Sequence, residues 1–542
     1  MASTTQPAVH PAAGSPTMSH REILEALSGL LLGMFVTILA STVVSNALPR
    51  IISDLHAGES AYTWVVTATL LALTVTTPIW GKLADLTSKK LLIQLALTIY
   101  VIGSALAGLA QNAGMLIAFR AVQGVGAGGL AALVQVILAA MISPRERGRY
   151  MGYLGAVFAL GTVLGPLVGG VIVDSSWLGW RWCFYVGIPF AAVALVLLQR
   201  TLHLPVVRRR VRIDYLGATL VAAAVSLLLI WVSLAGHQFA WNSVQTYLMV
   251  GGALALGALF IAVEQRVAEP IIPLRLFADR TITVSTVASL FVGIGLFGGT
   301  VFLSQYFQIS RGESPTASGL MSLPLVLGLL GSSTIVGQLI SRYGAWKRYL
   351  VAGGVLLVAG FGLMGSMRAD SPYGLLALYM LVLGAGLGMM MQNLVLATQN
   401  VVATGDLGAA SSTVTFFRSL GGAVGVSALG ALLAHRVATY TAAGLAAVGI
   451  VPTGAGAELP NPATLPQPVR QIVQDAFGHG IGDVFLAATP FALLALLAVL
   501  FVKEVTLQTT SAIERDAEVP ADRTAGSDQR DRGLVPLPAN GK

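Results

Sequence analysis

The sequence predicts an all-α, polytopic membrane protein with fourteen spanning helices, and three observations carry that expectation. Of 542 residues, 55% are apolar and only 10% charged, where soluble domains carry about 25% charged residues. No soluble fold of this size has an interior large enough to hide so much apolar surface. The apolar residues come in runs of roughly 20, the length that a bilayer core about 30 Å thick demands. Basic residues fall between the runs with a strong bias to one side, as membrane topology requires. Together these exclude a soluble enzyme, a secreted disulfide scaffold and a disordered chain. The net charge of +8 is scattered and forms no single basic surface of the kind a nucleic acid needs. The one cysteine, Cys183, lies inside an apolar run, so there is no disulfide framework or cysteine metal site.

In order, the predicted spans are Ser28–Pro49, Tyr62–Gly81, Leu91–Ala110, Leu116–Ile142, Tyr150–Val173, Trp182–Leu198, Tyr215–Ala235 and Thr246–Val263, then Ile282–Gln308, Ala317–Ile340, Tyr349–Met367, Pro372–Ala397, Leu407–His435 and Val484–Val502. None alternates apolar and polar residues over about 10 positions, as barrel strands do. The first run is too long for a signal-peptide core and lacks a small-residue cleavage site, so it reads as a retained helix.

With the amino terminus in the cytosol, the loops after helices 2, 4, 6, 8 and 10 hold 17 lysines and arginines, against six in the outside segments. The positive-inside rule then places both termini in the cytosol. The expected organisation is a disordered tail (1–22), a six-helix bundle (23–200), two extra helices with basic linkers (201–281), a second six-helix bundle (282–505) and a disordered tail (506–542). The second bundle would carry a long external loop (436–483). Within it Val469, Ile472, Val473 and Phe477 recur at helical spacing and read as a short helix on the membrane surface.

An internal repeat is visible. After helix 2 the chain reads G-K-L-A-D-L-T-S-K-K from Gly81, and after helix 10 it reads G-Q-L-I-S-R-Y-G-A-W-K from Gly337. Repeats eight helices apart leave two helices between six-helix halves, and repeated halves are the usual build of secondary transporters, with substrate held between them.

These motifs resemble those of a known family. Gly81-Lys-Leu-Ala-Asp85 with Lys89 and Lys90 is similar to the helix 2–3 loop signature of the major facilitator superfamily, with Leu86 and Ser88 departing from it. Arg120-Ala-Val-Gln123-Gly124 matches its helix 4 motif. Gly161 with Gly165-Pro166 and Gly169-Gly170 matches the helix 5 motif of drug:proton antiporters. Thr42 to Pro49 and Trp180-Arg181-Trp182 look like markers of the fourteen-helix EmrB/QacA branch. On these residues the chain is identified as a member of that branch. The resemblance implies a major facilitator fold in the plasma membrane and export of lipophilic or amphipathic molecules, including antibiotics, by proton antiport and alternating access. Partners would be a small-molecule substrate, protons and the bilayer; the chain is expected to act as a monomer, without nucleic acid. Remaining readings are a dedicated exporter or uncoupled facilitator of one metabolite, and a non-transporting membrane sensor.

The resemblance also assigns roles. Asp85 would latch one access state, since a carboxylate there can meet a helix N-terminus or an arginine. Lys89 and Lys90 would assist it or simply anchor topology. Arg120 is costly inside a span unless paired or facing water; in the family it takes part in proton coupling, and the alternative is snorkelling to the interface. Gln123 would be its polar neighbour in the central cavity. Gly165, Pro166 and Gly169 would let another helix approach closely and seal a gate. Glycines 384, 386 and 388 of helix 12, and 421, 422 and 425 of helix 13, would serve packing likewise.

The family typically carries an aspartate at the position of Ala40, and none of the 24 acidic residues falls in the middle of a predicted span. Asp85, Asp54, Glu59 and Glu313 are the remaining proton-carrier candidates. Polar and aromatic residues within the spans are the expected cavity lining, each with a core role as the alternative: Ser41, Ser45, Asn46, Gln135, Gln305, Tyr306, Gln308, Gln392, Asn393, Gln399, Asn400, Phe416 and Phe417. Arg418 would pair with helix-end carbonyls or an anionic substrate group. No phosphate-binding GxxxxGK[ST] sequence is present and the seven histidines show no ligand spacing, so no ATP chemistry, catalytic group, metal or cofactor is expected.

Overall fold

The computed structural model describes residues 20–56, 59–175, 177–204, 214–235, 238–448, 466–467 and 469–518. Expectations that concern 1–19, the basic linker 205–213, the stretch 449–465 and the tail 519–542 lie outside the described residues. Fourteen helices are long and apolar enough to cross a membrane. They are α1 (His20–Asp54), α2 (Glu59–Leu86), α3 (Lys89–Gly108), α4 (Ala113–Met141), α5 (Pro144–Asp174), α6 (Trp182–Tyr185 and Gly187–Thr201), α7 (Tyr215–Leu234), α8 (Val244–Glu264), α9 (Arg280–Gln305), α10 (Pro315–Met321 and Leu323–Tyr343), α11 (Lys347–Met364), α12 (Tyr373–Val401), α13 (Leu407–Ala447) and α14 (Val469–Leu500). A short α15 (Ala512–Glu518) follows. The described residues contain no strand, only an isolated bridge between Ala235 and Phe239.

Local chemistry sets many of the ends. Ser88, Asn112, Asp214, Ser243 and Asp279 cap α3, α4, α7, α8 and α9, each side chain accepting from a backbone N–H of the first turn, as helix N-termini require. Pro144 opens α5 and Pro315 opens α10, where a missing N–H costs nothing. Gly344 ends α10 at φ +75°, a left-handed conformation that glycine adopts without strain.

The packing repeats itself. In the first half α1 packs on α5 and α6, and α4 on α2 and α3; in the second α9 packs on α13 and α14, and α12 on α10 and α11. The halves meet through α2 against α13 and α5 against α10, contacts that exchange when helix numbers are advanced by eight. Helices α7 and α8 pack on one another, and α7 also touches α2 and α13. The outward face of α8 leaves Leu248 and Leu254 exposed, an apolar surface suited to lipid.

Four expectations need correction. Helix α13 does not stop at His435 but runs to Ala447, and α14 begins at Val469. Residues 436–447 and 469–483 are therefore helical, and Val473 and Phe477 are buried in the core of the second half rather than lying on a membrane surface. Consequently Asp483 falls inside a continuous helix; it accepts from Tyr440 at 2.7 Å and pairs with Arg436 at 3.3 Å, which ties the two helices together. At the amino terminus, residues 20–22 belong to α1, where His20 meets the Tyr150 hydroxyl at 2.6 Å. Residues 506–518 are not a free tail either: they form a strap, with Leu507 and Ser511 buried, and α15, as described below.

Candidate gate and substrate pathway

The end of the bundle that carries the basic loops is closed. Gly81 of α2 abuts Gly408 of α13, and Gly337 of α10 abuts Gly148 of α5; a Cβ on any of these would overlap the opposing backbone or a side chain. Only a residue without a side chain lets two backbones approach so closely. Gly81 and Gly337 are the first residues of the two repeat motifs, so the repeat places one glycine in each arm of the seam.

Asp85 lies one turn beyond Gly81. Its Oδ1 accepts from Gly408 N at 2.7 Å and its Oδ2 from Ala409 N at 2.8 Å. The carboxylate therefore sits on the N-terminus of α13, where free N–H groups and the helix dipole favour an anion. Lys89 and Lys90 are half-buried at the start of α3, and Lys90 donates to Gln199 O at 2.7 Å.

Above this contact a polar layer crosses the seam. Arg147 is wholly buried and donates to Ile142 O, Ala139 O and Gln399 Oε1, at 2.8, 2.8 and 2.6 Å. Gln399 donates to Ser411 Oγ at 2.8 Å, and Gln135 donates to Gln392 Oε1 at 3.0 Å. Beneath it runs the strap. Trp346 donates to Val505 O, Asn400 exchanges hydrogen bonds with Thr506 and Gln508, and Arg145 N donates to Gln508 O. The strap thus joins α10–α12 to the first turn of α5, and Ala512 is buried against Ala139 and Ala409. Two ion pairs brace the sides: Lys82 to Glu269 at 2.6 Å, and Arg275 to Asp406 at 2.9 Å.

Just past the polar layer, both halves line a cavity of about 20 Å³, room for about one water. Its walls include Met34, Phe158, Leu329, Ser333, Met391 and Gln392. Ser41 is exposed and bonded only to Thr37 O of its own helix, Gln305 is half-buried, and Gln308 bonds Ser304. Asn393 is buried and donates to Met389 O. Asn46 lies on α1 with its side chain outside the described residues. Arg418 is buried, reaches Met391 O at 3.5 Å and has no carboxylate partner among the described residues.

Several expected pathway residues lie elsewhere. Gln123 is buried between α4 and α3, taking a 2.7 Å bond from Arg120 and donating to Ser104 Oγ at 3.3 Å. The pair faces the interior of the first half, not a central cavity, and Arg120 does not snorkel. Tyr306 is buried with its hydroxyl on Arg368 O at 2.6 Å. Phe416 packs with Val75 and Leu220 at the junction of α2, α7 and α13, with Phe417 beside it. Gln399 and Asn400 serve the closed seam and the strap. Gly161 and Gly165 bring α1 against α5 within one half, Thr42 donating to Gly161 O at 3.1 Å; Pro166 and Gly169 occupy the same helix. Ala40 is buried 4.0 Å from the point a Gly187 side chain would occupy on α6.

Sequence reasoning missed Arg147 and Lys82 as gate residues, because between apolar runs they read as topology charges. The strap was missed because its composition is polar.

Two repeated helical halves, pressed shut at one end around a narrow internal cavity, define a secondary membrane transporter. The pattern of the Major Facilitator Superfamily matches residues 30–426, and the chain belongs to that family. It is similar to an uncharacterized MFS-type transporter of Mycobacterium tuberculosis, 38% identical over 94% of this chain and 74% of the relative. It is also similar to the multidrug transporter protein MdtP of Bacillus subtilis, 35% identical over 76% of this chain and 75% of that one. Among solved structures, the proton:xylose symporter XylE shares the fold with a TM-score of 0.60 and 15% identity, over 92% of this chain and 100% of that one. The protein is a polytopic membrane transporter of small molecules, not an enzyme.

Proposed function

We propose that the protein exports lipophilic or amphipathic molecules by proton antiport, alternating between a state closed to the cytosol and one open to it. The carrying observation is the closed seam, with Asp85 seated on the N-terminus of α13. The basic loops cluster at this end, and the positive-inside rule makes it the cytosolic one. On this reading the closed seam is the cytosolic gate in its shut state. The cavity walls favour apolar substrates with few hydrogen bonds: Met34, Phe158, Leu329 and Met391 outnumber Ser333 and Gln392, a usual balance for small-molecule sites. A multidrug transporter among the relatives supports the same class.

A second reading, an uncoupled or single-substrate exporter, draws on Ala40, which stands buried against α6 where the family typically places an acid. Inverted membrane vesicles loaded with a fluorescent lipophilic dye separate the two. Accumulation that follows an imposed pH gradient supports antiport; gradient-independent movement overturns it, and no movement of dye or candidate metabolites overturns export.

A further inference from the structure

The accessory pair α7–α8 begins and ends at the same face as the seam, and there the cap of α7 meets the last residue of α8. Asp214 caps α7 and is 7% exposed; Glu264 closes α8 and is 3% exposed. Each carboxylate engages one oxygen. Asp214 Oδ1 accepts from Gly217 N at 2.8 Å, and Glu264 Oε1 accepts from Ile271 N at 3.1 Å. The remaining oxygens, Asp214 Oδ2 and Glu264 Oε2, are buried and have no hydrogen-bond partner among the described residues, the Ile272 N–H being the further backbone donor that faces Glu264. Asp214 Oδ2 and Glu264 Oε1 converge on one point beside Gly217, where a Cβ would collide with both. The other charges facing the pair are Lys82 of α2 and its partner Glu269.

Two buried carboxylates this close resist ionising together, because each raises the electrostatic cost of the other. An orphan buried acceptor adds its own desolvation cost. A proton on Glu264 relieves both, removing the repulsion from Asp214 and the charge that its orphan oxygen leaves unsolvated. The surroundings connect this pair to the gate. Glu264 holds the start of the loop 265–279 through Ile271 N. That loop sends Glu269 to Lys82 on α2 and Arg275 to Asp406 at the foot of α13. One segment thus spans the seam between the halves.

We propose that Glu264, with the Asp214 carboxylate beside it, binds one proton taken from cytosolic water, and that the loaded site holds the loop 265–279 across the closed α2–α13 seam. Release of the proton to water leaves two adjacent anions, parts them and frees the loop, so an acidic cytosol favours closure and an alkaline one favours opening. The assignment of this face to the cytosol rests on the exporter reading; the proton site itself does not.

The test uses the full chain in lipid nanodiscs with Cys183→Ala and spin labels on cysteines at Thr87 and Ala403. The wild-type distance distribution should shift toward the short, closed population as the medium goes from mildly alkaline to mildly acidic. In the double variant D214N/E264Q, which keeps an acceptor for Gly217 N and Ile271 N, the shift should vanish. Infrared difference spectra over the same titration should show one protonated-carboxyl band that is lost in the variant. Persistence of band and shift in the variant overturns the proposal, as does a wild-type response to sodium at fixed pH, which would assign a metal cation instead. Should the double variant not fold, K82Q decides: removing the facing ammonium should move the titration to higher pH, and an unchanged titration overturns the site. Loss of the band in the variants with gradient-independent transport in the wild type would sink antiport and leave the site standing; an unaffected band with gradient-driven transport does the reverse.

Discussion

Replacing Asp85 by Asn tests whether one carboxylate holds the seam shut. In the closed state its two oxygens accept from Gly408 N and Ala409 N at 2.7 and 2.8 Å, and the residue is only 9% exposed, so solvent screening is slight. Hydrogen bonds to a charged group contribute about 1.5–3 kcal/mol each. Asparagine keeps one acceptor, now neutral, and turns an amide NH2 toward the second backbone N–H. One charge-assisted bond is lost outright and the other falls to the neutral value of roughly 1 kcal/mol. The anion's interaction with the α13 dipole, about 0.3–1 kcal/mol, goes as well. The sum is about 2–6 kcal/mol against the closed state, a shift of about 50-fold or more in the closed-to-open ratio. Spin labels at positions 87 and 403, flanking the seam, read that ratio directly from the distance distribution. Asp85→Glu, one methylene longer, should fall between the two. A change smaller than about threefold in D85N, worth about 0.6 kcal/mol, would show that the glycine contacts and the polar layer close the seam without this carboxylate.

Other perturbations follow the same geometry. Gly148→Ala places a methyl against the Gly337 carbonyl and should cost the closed state about 1–3 kcal/mol as overpacking, seen as a longer label distance between α5 and α10; an unchanged distance would show that close approach of the two backbones at this point does not hold the seam. Truncation after Lys503 removes the strap and its bonds to Asn400, Trp346 and Arg145, so a cysteine at Ala139, buried against the strap, should be alkylated several-fold faster than in the full chain. Arg147→Met leaves Gln399 and two carbonyls without their donor and should lower stability by about 3 kcal/mol, within the range for stripping buried partners, measured as a drop in the melting temperature of the solubilised protein. Tyr306→Phe removes the hydroxyl's bond to Arg368 O and the bond it accepts from Arg311 Nε, together worth about 2 kcal/mol of stability, and should leave substrate affinity unchanged; weakened binding would return Tyr306 to the pathway.

The spans were legible because a bilayer imposes its length and apolarity on each helix separately, and that information is local. The seam was partly legible, since the repeat puts Gly81 and Gly337 at matching places. Which side of a helix a residue occupies was not legible, because that depends on the neighbour. Phe416 and Tyr306 read as lining on composition alone, yet one packs between α2 and α7 and the other anchors to Arg368. Arg147 and Lys82 counted as charges between apolar runs, but the count cannot tell an exposed loop from the first turn of α5, where Arg147 is buried, or the end of α2, where Lys82 pairs with Glu269. The strap itself orders through Asn400 and Trp346, over 100 residues away in sequence. Composition likewise ended α13 at His435, because the pairing of Arg436 and Tyr440 with Asp483 that extends it joins two distant segments.

The placement of charge bears on how a proton could drive this carrier. Arg120 and Arg418 are buried inside the two halves with no carboxylate partner among the described residues, and the position of Ala40 offers none. The buried acids of the basic end are Asp85, Asp214 and Glu264; Asp85 touches the seam directly through α13, Glu264 bonds the loop that reaches Lys82 and Asp406, and Asp214 lies beside Glu264. A carboxylate in the substrate cavity would couple by competing with substrate for one site. Carboxylates at the gate act differently, changing the free energy of closure and therefore the population of each access state whatever occupies the cavity. Coupling of that kind places little demand on substrate charge, in keeping with a cavity whose walls are mostly apolar and carry no ionised side chain.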